Sequence, residues 1–139
     1  MTAREYLRQL QKLDALINNK MAEREQWKSM AMSVAPKTSG ERVQSSGSQQ
    51  RIADAICTYI DIERELDACI DEYYNRKREV LSIIEELNAT EYDVLHKVYV
   101  QQIPLEDVGE MKKKSYSWVT TVHGRALQNV QKILDEKGL

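Results

Sequence analysis

The sequence predicts an all-α protein, a long antiparallel helical hairpin with a coiled-coil-like stalk, followed by a small helix-turn-helix domain. Three observations carry that expectation. The chain of 139 residues is 30% charged with only 5 Gly, 2 Pro and no Phe, the profile of long solvated helices rather than of sandwiches or barrels. An apolar heptad pattern runs from Ile52 to Leu87 without a slip, and the last third breaks into short helical segments punctuated by turn residues. The expected organisation is a stalk over 1–87 with a loop at 36–50, and a second domain over 88–139.

In the first element, Ala3, Tyr6, Leu10, Leu13 and Ile17 alternate three and four apart, with Thr2 placed as N-cap. The stripe weakens beyond Ile17, where Lys20 and Arg24 continue it while Met21, Trp27, Met30 and Val34 drift around the helix. Pro36 supplies a stop. Residues 36–50 hold Gly40, Gly47 and five serines or threonines, with Val43 the sole large aliphatic residue, which reads as a loop. The next element carries Ile52, Ile56, Tyr59, Glu63, Leu66, Ile70, Tyr73, Lys77, Val80, Ile84 and Leu87 as a heptad seam. Such a helix would be roughly 54 Å long and must lay its stripe on another helix; the first element, arriving antiparallel, is the nearest. Glu63 and Lys77 then sit in the seam as register or pairing residues. Seam left over beyond the shorter helix would be covered by the head or by a second copy of the chain, and self-association through the stalk is expected.

In the C-terminal segment, Thr90 is a plausible N-cap for a helix over 91–100 in which Tyr92, Leu95, Val98 and Tyr99 face inward. A tight link at 101–103 precedes Pro104, which suits a helix start, and residues 105–111 span only about two turns. Lys112, Lys113 and Lys114 form the following turn. Ser115 caps a longer helix to Leu134, with Val119, Val122, Ala126, Leu127, Val130 and Leu134 on one face. Two helices joined by a tight turn, the second longer and Ser-capped, have the spacing of a helix-turn-helix.

Composition excludes more than it nominates. Twenty Lys plus Arg against 22 Asp plus Glu give a net charge of -2, which by itself selects no partner. Residues 112–134, however, hold five bases and no acid, so positive charge is concentrated on one element. No apolar run approaches the ~18 residues of a membrane span, and Arg4, Glu5 and Arg8 interrupt the N-terminus as no signal peptide does; a cytoplasmic protein without membrane contact is expected. Cys57 and Cys69 lack metal-ligand spacing and read as free thiols. His96 and His123 have no second ligand at helical spacing and read as surface or satisfied core residues. With no phosphate-binding glycine loop, nucleophile elbow or isolated carboxylate pair, neither catalysis, a metal nor a cofactor is expected; "GERVQSSG" lacks the Gly-Lys-Ser/Thr ending of a phosphate cradle.

The stretch "NATEYDVLHKVYVQQIPLEDVGEMKKKSYSWVTTVHGRALQNVQKIL" at 88–134 resembles the promoter-reading C-terminal domain, region four, of the sigma-70 family. The shared points are the "T-E-x-x-V-L" helix with Tyr99, "L-E-D-V-G" in place of the family's "L-x-E-I-A", Ser115 seven and Val119 eleven residues after Val108, and "R-A-L" at 125–127. The layout as a whole, with "SGERVQSSG" at 39–47 and a long helix ahead of the sigma-like tail, is similar to small phage and prophage late-gene transcription regulators of the RinA and ArpU type. This sequence departs from the sigma pattern in three ways. Its turn has three lysines where the family has a Leu, a Gly and a Val or Ile; Gly109 replaces a small Ala; and Tyr116, Ser117, Thr120 and Thr121 replace the usual Arg and Gln of the reading helix.

Together the residues and the resemblance imply a phage-encoded, sequence-specific DNA-binding regulator, acting as a late-gene activator. Its partner would be double-stranded DNA, with RNA polymerase a second partner. The helix over 115–134 would enter the major groove. Tyr116, Ser117, Thr120 and Thr121 would read base edges. Lys112, Lys113, Lys114 and Arg125 would neutralise phosphates, with the helix start at Ser115 binding one more. Trp118, beside Val119, is expected to pack against the neighbouring helix. The competing expectation is an adaptor that grips polymerase or another phage protein without specific DNA binding.

Overall fold

The computed structural model describes residues 1–33 and 46–139. Every regular element among them is helical: α1 (Ala3–Ser33), α2 (Ser46–Ile84), α3 (Ala89–Leu95) continued by a π-helical turn (His96–Val100), α4 (Leu105–Met111) and α5 (Tyr116–Lys137). The all-α class is therefore as expected. Of the segment read as a loop at 36–50, residues 36–45, with the stop at Pro36, lie outside the described residues; 46–50 are the first turn of α2 rather than loop.

α1 begins on a reciprocal capping box. The Thr2 hydroxyl accepts from the Glu5 backbone N–H and the Glu5 carboxylate accepts from the Thr2 N–H, both at 3.1 Å. α2 runs unbroken through Glu63 and Lys77.

Two compact units emerge. The first joins 1–14 and 72–139; the second is 15–71. The division therefore does not fall at residue 87, and the reason is the apolar face of α1. Ala3, Tyr6, Leu7 and Leu10 pack with Val80, Ile83 and Ile84 of α2, Leu95 of α3, Tyr99 of the π turn, and Ala126, Val130 and Leu134 of α5 in one buried cluster. The start of α1 and the end of α2 are thus part of the core of the C-terminal domain. Polar ties reinforce it: the Ala3 N–H donates to Gln131 at 2.8 Å, Gln102 donates to Asp14 at 3.0 Å, and Lys137 pairs with Glu86 at 3.3 Å.

Within this unit α1 and α2 are antiparallel, since Tyr6 lies beside Glu79 and Asp14 beside Tyr73. Burial of the Tyr6 ring, with the Glu79 carboxylate next to its hydroxyl, holds that phenol far above the ordinary range. In the second unit the same sense is seen: Lys20 pairs with Glu65 at 2.7 Å, and Arg24 lies near Tyr59. The α1 stripe does not stop at Ile17. Lys20, Arg24, Trp27 and Ala31 are all half-buried at its continuing positions, the two long basic side chains covering the seam with their methylenes.

The buried face of α2 is rotated from the expected seam. Tyr59, Leu66, Tyr73 and Val80 do face inward, but their companion column is Ala55, Ile62, Cys69, Arg76 and Ile83, of which Ala55, Ile62 and Ile83 are buried. In the expected companion column, Ile84 alone is buried; Ile56 is exposed and Glu63, Ile70 and Lys77 are half-buried flanks. Glu63 and Lys77 therefore do not interrupt a core seam. Both cysteines are free, Cys57 exposed and Cys69 half-buried. No helix among the described residues is long and apolar enough to cross a membrane.

Candidate nucleic-acid interface

The site is built from α3, α4 and α5 of the first unit. The N-cap of α3 is Asn88, not Thr90: its side chain accepts from the Glu91 N–H at 2.9 Å. Asn is at least as good a cap as Thr, and it starts the helix two residues earlier. Glu91 is consequently turned into the core, where Asn129 of α5 donates to its carboxylate at 2.7 Å. The helix expected to reach Val100 changes to π geometry at His96, with the Gln101 N–H bonded to the His96 carbonyl at 2.9 Å. The wider turn sets Tyr99 over His123: the rings stack 5.7 Å apart and the Tyr99 hydroxyl lies 2.8 Å from His123 Nε2. His123 is thus a satisfied core histidine. Its pKa lies below the usual value, because burial disfavours the imidazolium and because Arg4 and Arg8 are nearby.

A second cluster of Val94, Val108, Val119 and Val122, flanked by Val98, Ile103, Leu105 and Trp118, locks α3, α4 and α5 together. Trp118 packs there as expected, with the Lys114 ammonium 5.4 Å from its ring centre. Gly109 sits where α4 comes closest to the turn and α5. A Cβ built on it would lie 3.3 Å from the Lys114 carbonyl oxygen and 3.6 Å from a Val119 methyl.

The four-residue turn between α4 and α5 closes as a Schellman motif. The Lys114 N–H bonds the Gly109 carbonyl at 2.9 Å and the Lys113 N–H bonds the Glu110 carbonyl at 3.1 Å. Lys113 occupies the left-handed position with φ 57°, so a lysine does what a glycine does at lower steric cost. Replacing Lys113 by Gly should stabilise the fold by about 1 kcal/mol, less the extra entropy of an unfolded glycine; thermal unfolding monitored by circular dichroism checks this, and a lower melting temperature would contradict it. Ser115 caps α5, its hydroxyl accepting from the Trp118 N–H at 3.0 Å, and Gly138, with φ 73°, ends it.

The sequence-expected site residues divide into three groups. Lys113, Lys114, Ser115, Tyr116, Ser117, Thr121 and Arg125 are exposed on the turn and on the outer face of α5. Lys112 is not so placed: it is half-buried, and its ammonium bonds the Asp93 carboxylate, which also takes Lys97 at 2.6 Å. Burial raises the Asp93 pKa, but the hydrogen bonds from Lys112 and Lys97 outweigh it and hold the carboxyl below the usual range. Lys112 therefore ties the turn to α3. Thr120 is half-buried, and both Thr120 and Thr121 donate their hydroxyls to the Ser117 carbonyl, at 3.0 and 2.9 Å. Their oxygens remain free to accept, and their methyls to make apolar contacts.

Sequence reading missed two contributors. Arg4 and Arg8 of α1 line a cleft with Gln11, Thr120, His123 and Gly124; nothing in an N-terminal stripe signals which face of the distant α5 it meets. The second is the exposed acidic face of α4, formed by Glu106, Asp107 and Glu110. No family model, curated protein or solved structure matches the chain.

Proposed function

We propose that the protein is a sequence-specific DNA-binding transcription regulator that reads the major groove with α5. The observation that carries this reading is the outer surface of the turn and α5. A capped helix N-terminus at Ser115 is flanked by exposed Lys113 and Lys114, and the hydroxyl residues Ser117 and Thr121 lead along the exposed face to Arg125. Residues 112–134 contain no acid. Such a surface matches what DNA offers: phosphates for the basic corner and the helix start, base edges for short side chains that accept hydrogen bonds or contact thymine methyls. Lys113, Lys114 and Arg125 take the phosphate role, whereas Lys112 acts through Asp93. The assignment to a phage late-gene activator rests on the resemblance to RinA and ArpU type regulators.

Titration of the full chain against the DNA flanking its own gene and against a scrambled duplex, at stated salt, tests the reading; equal affinity for both sinks sequence-specific recognition. The acidic face of α4 favours a second reading, an adaptor for a protein partner such as RNA polymerase. Under that reading, purified polymerase is retained by the protein and the duplexes are not.

The second unit supports self-association. Ile56 and Ile60, four residues apart on α2, are 45% and 43% exposed, and Leu16 and Met21 of α1 are 43% and 42% exposed. Apolar surface of that kind at helical spacing suits a second copy of the chain. Light scattering should give a multiple of 16.1 kDa at micromolar concentration, and Ile56→Glu with Ile60→Glu should return a monomer. A wild-type monomer across that range refutes this.

A further inference from the structure

Apart from Thr120, no residue of the cleft between α1 and α5 in the first unit has a role in the reading above. Arg4, Arg8 and Gln11 fall at i, i+4 and i+7, so they form one stripe of α1, and they face Thr120, His123 and Gly124 across a space of about 440 Å³. Among the described residues no Asp or Glu lines it. Arg4 and Arg8 are exposed, and among the described residues neither forms an ion pair. Two guanidinium groups beside one wall of α5, that of Arg4 bonded to the neutral Tyr99 hydroxyl, make a local positive field suited to an anion in a chain with net charge -2.

Gly124 is the second observation. It lies mid-helix and exposed, and a Cβ there would meet nothing within 4 Å. Packing within the unit does not require glycine, although glycine weakens a helix interior. What its bare backbone provides is room for a close approach from outside, in the lining of the arginine-bearing cleft.

We infer that this cleft holds a phosphate of the DNA backbone, so that α1 clamps the duplex alongside α5. The inference rests on the DNA-binding reading and extends its footprint to the N-terminal helix. Arg4 and Arg8 supply the forked donors that match phosphate oxygens, and Gln11 frames the mouth beside them. His123 reports on the cleft. The groups facing it are Tyr99 from the π turn and Arg4 and Arg8 from α1, and the arginines contribute to holding its imidazole neutral. A phosphate between the arginines offsets their charge, so the His123 pKa should rise when DNA binds.

The test uses the full chain, cognate and scrambled duplexes, and a series of salt concentrations. Arg4→Gln with Arg8→Gln should weaken binding to both duplexes alike and reduce the slope of log affinity against log salt by about 1.8, or ~0.9 per lost contact. In the wild type, NMR titration of the His123 ring should show its pKa moving up on saturation with duplex. If the double variant loses helicity, Arg8→Gln alone, expected to lower the slope by ~0.9, replaces it. An unchanged slope or an unmoved His123 titration overturns the inference. If Lys113→Gln and Lys114→Gln still lower the slope in that case, the DNA-binding reading stands without the clamp; if the wild type binds neither duplex, both fall.

Discussion

A chain carrying Lys113→Gln and Lys114→Gln will bind every duplex more weakly but keep its preference for the cognate one. Both lysines are exposed at the corner between α4 and α5, where the proposed DNA-binding reading has them contact phosphates and no base edge. Losing two contacts should lower the salt slope by about 1.8. Thr120→Ala with Thr121→Ala should fail in the opposite way. With their hydroxyl protons given to the Ser117 carbonyl, these threonines have acceptor oxygens and methyls left for DNA. Their loss should cost on the order of 1–3 kcal/mol on the preferred site while non-specific binding stays nearly intact. Titration of both variants against cognate and scrambled duplexes at several salt concentrations separates the two roles. A lysine variant that loses preference, or a threonine variant that keeps it, contradicts the assignment. Lys112→Gln belongs to neither class: it breaks the bond to Asp93 and should lower thermal stability, with a small change in salt slope.

What could be read from the sequence was whatever a local signal determines. Ser115 as a cap, Pro104 before a short helix, the bounds of α4 and the face of α5 through Val119, Val122, Ala126, Val130 and Leu134 are all set by residues within a turn or two of one another. The rotated face of α2 was not legible, because Ala55, Cys69 and Arg76 look less apolar than Ile56, Ile70 and Ile84. A close helix–helix approach admits the small residue, and a long basic side chain can lie along the seam. Nor did the stripe of α1 announce its partners: a heptad says that a face is buried, not whether another stalk helix or a separate domain covers it. The same limit hid Arg4 and Arg8 from the site. Lys112 looked equivalent to its neighbours in the triplet, and only the packing of α3 against the turn, which brings Asp93 within reach, separates it from them.

The packing of α1 into the C-terminal domain sets the remaining expectation. Leu7 has no exposed surface and lies in the cluster that includes Leu95, Tyr99, Val130 and Leu134, so Leu7→Ala should cost about 2–5 kcal/mol, through lost burial and the cavity left behind. A single domain is marginal by about 5–15 kcal/mol, and a loss of this size would show as a large fall in melting temperature. The effect should reach the proposed DNA-binding surface, since α5 is seated on the same cluster through Ala126, Val130 and Leu134. Removal of the stalk should be harsher still. A fragment of residues 88–139 would expose Leu95, Tyr99, Val130 and Leu134 to water together, having lost Tyr6, Leu7, Leu10, Val80, Ile83 and Ile84 from around them. It should give no cooperative thermal transition, and its amides should exchange without protection. A fragment that melts cooperatively near the temperature of the full chain, or a Leu7→Ala protein of wild-type stability, would show that the helix-turn-helix stands on the valine cluster alone.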